Sequence, residues 1–192
     1  MPLLRKMKET MLKLKIPSEI MSQMEFDVQK DDGTNPYIIL PVIDKMDELL
    51  TREQVFAVME RQGCCKSGKR DKDCKAFVKE HSDKTLEEKI SLLPNIEHMM
   101  APWLNDDGTM TVEWGGYQNG VHSGKTTCSC GAIKKLKQPF SVSDTYCGCC
   151  AGHFLYHYQN ALGVKLKLKE INSSPLNTNG EKPCTFTFEI LQ

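Results

Sequence analysis

Residues 152–171 read GHFLYHYQNALGVKLKLKEI, and the period of the apolar residues changes within them. GHFLYHYQNAL reads as a helix that Gly163 stops, because glycine takes the left-handed turn at a helix C-terminus without a steric penalty. VKLKLKEI then alternates Val164, Leu166 and Leu168 against Lys165, Lys167 and Lys169, the period of two that gives a strand one buried and one wet face. TFTFEI (185–190) alternates in the same way, with Phe186, Phe188 and Ile190 against Thr185, Thr187 and Glu189. Upstream, NDDGTMTVEW (105–114) places a turn before Met110, Val112 and Trp114. One-sided strands of this kind suit an antiparallel sheet covered on one face by helices.

Working outward, residues 1 to about 100 read as helical. Leu3, Leu4, Met7, Met11, Leu12 and Leu14 recur at helical spacing before Pro17, and Ser18 is placed to cap a short helix carrying Ile20, Met21 and Met24. DDGTNPY (31–37) is turn chemistry. Thr51 with Gln54 and Thr85 with Glu88 form capping boxes. The first divides one bent helix or two adjoining ones ending at Gly63, and the second opens a helix limited by Pro94. Between them QGCCKSGKRDKDCKAF reads as a basic, cysteine-bearing loop. The expected fold is α+β: N-terminal helices over residues 1–100 packed on a C-terminal antiparallel sheet with one long late helix over 101–192, together one globular unit.

The 192 residues are 40% hydrophobic and 26% charged, which argues for a folded domain rather than disorder. Lys+Arg and Asp+Glu balance at 25 each, so nucleic acid and membrane partners are not expected unless a local basic patch exists. No apolar run approaches the ~18 residues of a spanning helix, and the basic start lacks a signal peptide's apolar core, so a cytoplasmic location is expected. The ten methionines are read as adaptable core filling.

Nine cysteines are the anomaly: Cys64, Cys65, Cys74, Cys128, Cys130, Cys147, Cys149, Cys150 and Cys184. An odd count and adjacent pairs weigh against a disulfide framework and leave metal ligation, a reactive thiol or redox sensing. The CGCC run (147–150) opens the late helix, where the dipole and unpaired N–H groups favour thiolate and lower a thiol's pKa. A tetrahedral zinc site draws about four ligands from separate elements, and Cys147, Glu170 and Cys184 are candidates from a helix start, a strand end and a turn.

CGCCAGHFLYHYQNALGVKLKLKEINSSPLNTNGEKPC (147–184) resembles the 4-vinyl-reductase-type small-molecule-binding domain of aromatic-responsive bacterial regulators, with Cys147, Gly152, Gly163, Glu170, Gly180 and Cys184 in the family's order. The resemblance implies an apolar or aromatic ligand and a structural zinc held by Cys147, Glu170 and Cys184. Ser173, a poor zinc ligand, occupies the position of the family's third ligand, so either Cys149, Cys150 or His153 completes the set or the site has lost its metal. The wider pattern, GCC near residue 64, LEEK at 86–89 and YCGCCAG before a Cys-Thr-Phe strand, is similar to bacterial proteins related to the aminothiazoline-carboxylate hydrolases.

The leading expectation is a small-molecule-binding protein with a cysteine-rich, zinc-binding corner. Tyr117, Tyr146, Phe154 and Tyr158, with His122 on a glycine-rich stretch, are the ligand-lining candidates. The alternative is a thiol-dependent hydrolase in which Cys149 or Cys150 attacks a small carbonyl or imine substrate with His153 or His157 as base. A redox or metal sensor is the third reading. A homodimer is compatible with each of them. Cys128 and Cys130 divide between metal or redox partners and buried small residues, and Lys134, Lys135 and Lys137 between anion contact and a solvated loop.

Overall fold

The computed structural model describes residues 3–24, 26, 36–63, 66–114, 121–122, 125–126, 128, 130–133 and 142–191. Tyr117, Cys64, Cys65, Lys134, Lys135, Lys137 and most of the 31–37 turn lie outside them. The helical half comprises α1 (Leu4–Lys13), α2 (Ser18–Met21), α3 (Pro36–Leu49), α4 (Arg52–Met59), α5 (Lys69–Glu80) and α6 (Leu86–Leu92). Strands β1 (Trp103–Leu104) and β2 (Met110–Trp114) follow, then a two-stranded hairpin of β3 (Val121–His122) and β4 (Lys125–Thr126). The long helix α7 (Gly148–Leu162) precedes β5 (Lys165–Ser173) and β6 (Cys184–Leu191). The main sheet is antiparallel in the order β1-β2-β6-β5. The fold is α+β, as the change of period requires.

Both capping boxes are present, with Thr51 and Thr85 each accepting the N–H three residues on and Gln54 and Glu88 reaching back. Thr51 thereby resolves the bent-or-divided alternative into two helices. Gly163 closes α7 with φ 73°. Ser18 is the first residue of α2 rather than its cap, which is Pro17.

The basic stretch after Gly63 departs from its reading as a loop. From Lys69 it is helical, with Cys74 and Phe77 buried and Lys75 paired to Asp71 one turn earlier at 2.8 Å. Its few apolar positions are sparse enough for the charges to mask a helical period. The core joins Met7, Met11, Ile43, Met46, Val58 and Met59 of the helices to Phe186 and Phe188 of β6 through α7, and the buried methionines serve as packing.

A candidate thiol centre at the start of α7

The first turn of α7 is held from two directions. A 3-10 turn, Asp144–Cys147, leads directly into the helix. Asp47 of α3 accepts from the Thr145 hydroxyl at 2.6 Å, while Arg52 of α4 donates to Asp144 at 2.7 Å and to Thr145 Oγ1 at 3.0 Å. On the other side three glycines permit backbone contact. A Cβ on Gly148 would lie 2.6 Å from Met59 Cβ, one on Gly152 would overlap the Glu60 carbonyl, and one on Gly63 would lie 2.7 Å from the carbonyl carbon of Gly152.

At about 100° per residue, the CGCC run divides between two faces of this helix. Cys147 and Cys150, one turn apart, lie toward Cys128 and Cys130, and Cys150 also toward Cys184 at the start of β6. The Cys150 thiol is pushed well above its ordinary pKa by burial and by Cys147, Cys184, Cys130 and Cys128. Burial also drives Cys147 up to about 12 and raises Cys184, each with contributions from the neighbouring thiols. Five sulfurs from three separate segments therefore lie within one another's field, with Cys150 feeling the other four. Cys130, Cys147, Cys150 and Cys184 are free thiols. Cys128 Sγ accepts the Cys130 N–H at 3.4 Å, the Cys130 thiol lies 3.6 Å from the buried Tyr146 hydroxyl, and the Ser174 hydroxyl bonds the Cys147 thiol. Desolvation outweighs the helix dipole here, so the expected lowering of these thiol pKa values is reversed.

Cys149 points the other way: it is 4% exposed and its thiol donates to the Gln62 carbonyl at 3.5 Å. His153 and Tyr156 share that side. Arg70 of α5 lies 2.9 Å from His153 Nε2, and since a guanidinium only donates, this nitrogen accepts and its lone pair is engaged. The Tyr156 hydroxyl donates to Asp71 at 2.8 Å, and the His153 and His157 rings are 4.6 Å apart. His157 is 1% exposed.

Glu170 is not brought to the thiols. Strict alternation from Leu166 and Leu168 would turn it inward, but a bulge after Leu168 shifts the register, so that Ile171 is buried and Glu170 is exposed opposite Thr187. Cys184 alternates with Phe186 and Phe188 onto the face beneath α7, the face Glu170 has left. Ser173 hydrogen-bonds Pro183 O at 2.7 Å and Thr185 at 3.0 Å. Of the ligand-lining candidates, Tyr146 is at the thiols and His122 lies in β3. Phe154 packs its ring 5.5 Å from Trp114 and from Phe186, and the Tyr158 hydroxyl donates to Met100 O at 2.7 Å, so both serve the core.

Among the described residues, no three His, Cys, Asp or Glu side chains stand together as a metal site would need. No described helix is long and apolar enough to cross a membrane. Family models, curated proteins and solved structures contain no match to the chain. Sequence reading left Cys149, Cys150 and His153 open beside Cys147; Cys150 is the one that shares its face, and the signal was available in the 3.6-residue period applied to CGCC itself.

Proposed function

We propose that the protein binds a soft divalent metal ion, zinc, at the thiol centre, and that this ion secures the junction of α7, β6 and the segment 128–133. The supporting observation is that Cys147, Cys150 and Cys184 each lie within electrostatic reach of Cys128 and Cys130, thiols contributed by three separate segments. Cys147, Cys150 and Cys184 would supply three ligands and Cys128 or Cys130 the fourth. Zinc bound there would neutralise thiolate charge and cross-link the segments. Because the thiols are not yet grouped as ligands, metal binding would draw them together and release their protons. Binding of an apolar small molecule is less well supported, since Phe154 and Tyr158 are committed to packing. The hydrolase reading is weakened by the engaged lone pair of His153 and by the raised pKa of Cys150.

The test is titration of the chelator-treated protein with Co²⁺, whose thiolate charge-transfer absorption reports sulfur ligands, followed by displacement with zinc. One ion per chain is expected, lost in Cys150→Ser and Cys184→Ser and retained in Cys149→Ser. Absence of the thiolate band, or its persistence in Cys150→Ser and Cys184→Ser, overturns the reading.

A further inference from the structure

A balanced total charge makes a membrane partner depend on a local basic patch, and α1 with its flanks supplies one. Residues 3–16 carry Arg5, Lys6, Lys8, Lys13 and Lys15 against a single acid, Glu9. Leu4, Met7, Thr10 and Met11 fix the inner face in the core, leaving Arg5, Lys8, Lys13 and Lys15 exposed. The one acid, exposed and 4.0 Å from Arg5, cancels a single charge and leaves the stretch a net four positive charges. Lys6 extends the patch toward Lys66 and Arg61, whose charges repel one another, and the acid among them is the partly buried Glu60. Amid these cations Leu12 is 60% exposed, one helical turn from Lys8, with Lys15 just past the helix's C-cap at φ 57°.

The chemistry selects an occupant. Lysine ammonium groups attract phosphate as hydrated point charges without the forked geometry that reads bases. An exposed leucine gains nothing against a nucleic-acid backbone but is stabilised at the boundary between headgroups and acyl chains. We propose that the outer face of α1 docks the protein on bilayer surfaces containing anionic phospholipid, with Leu12 entering the headgroup boundary between Lys8 and Lys15. This surface shares no residue with the thiol centre, so either proposal can fail without the other.

Cosedimentation of the full chain with vesicles of phosphatidylcholine alone, and of phosphatidylcholine mixed with phosphatidylserine, tests it. Binding to the mixed vesicles is expected, weakening with added salt. Lys8→Gln, Lys13→Gln and Lys15→Gln should each lower the partition coefficient roughly fivefold. Leu12→Ser should lower it while leaving the salt dependence unchanged. All four positions are exposed, so the melting temperature should not move. Equal binding to both vesicle types, binding to neither, indifference to the substitutions, or retention of duplex DNA in place of vesicles overturns the proposal.

Discussion

Gly152→Ala sets helix propensity against packing at one atom. Within a helix the change from glycine to alanine is favourable by about 1 kcal/mol. At Gly152 the added methyl would overlap the Glu60 carbonyl oxygen and sit 2.6 Å from its carbon and 2.7 Å from Glu60 Cα, against 3.4 Å for ordinary contact. The obstacle is backbone, so no rotamer change relieves it; α7 must withdraw from the end of α4. Overpacking of this kind costs about 1–3 kcal/mol, with a backbone clash at the upper end. The net effect is a destabilisation of about 2 kcal/mol. For a domain of this size that lowers the melting temperature by about 4–8 °C. Differential scanning calorimetry at neutral pH measures it. A variant melting at or above the parent temperature would mean that α7 and the Glu60 backbone do not touch, and the positioning of Cys147 and Cys150 derived from that contact would fall with it.

Three further outcomes are expected. Lys169 first, and then the Thr109 hydroxyl and N–H, hold the Asp107 carboxyl well below the usual range. Its stabilisation is therefore present above the unfolded pKa of about 3.9 and lost as pH falls through the lower folded value; Asp107→Asn should melt lower at pH 7, by an amount that shrinks on acidification, and a widening gap would contradict this. Burial pushes the Cys74 thiol up to about 11, so between an unfolded pKa of about 8.5 and that value the unfolded chain releases a proton the native one keeps; stability should fall with pH in this window, and less steeply in Cys74→Ala. The Tyr158 hydroxyl donates to Met100 O at 2.7 Å and accepts the Met100 N–H at 3.2 Å; Tyr158→Phe should cost about 1–3 kcal/mol, seen as a lower urea midpoint at unchanged slope, and an unchanged midpoint would show that water replaces the hydroxyl.

The elements legible in the sequence were those with an unbroken period. Leu166 and Leu168 against their lysines, and Phe186 and Phe188 against their threonines, announce β5 and β6 because every second side chain meets the same environment. α5 was hidden because only Cys74 and Phe77 are buried in a run of charges. β1 and the β3–β4 hairpin were hidden because two-residue strands carry no period to read. At the candidate site, the structure brings Cys147 near Cys184, while Glu170 and Cys149 are turned elsewhere for local reasons. Glu170 was named from its place at a strand end and from the family order, neither of which registers the bulge after Leu168 that turns it outward. Cys149 was grouped with its neighbours by sequence adjacency, although one residue along a helix turns a side chain through 100°.

The direction of the thiol shifts also separates two kinds of cysteine chemistry. A nucleophile has to be thiolate before its substrate arrives, which is why reactive cysteines sit beside cations or at open helix ends. Burial pushes the Cys147 thiol up to about 12, so at neutral pH it is held protonated. The 3-10 turn before α7 leaves no open helix end to offset that burial. A metal ligand is under no such demand, because the ion brings the countercharge and displaces the proton as it binds. The same burial and crowding that disable these thiols as attacking groups thus set up a cation's arrival to reverse them. Proton release on zinc addition, measured in weakly buffered solution and absent in Cys150→Ser, is what that reversal requires; zinc uptake without protons would mean that these sulfurs are not its ligands.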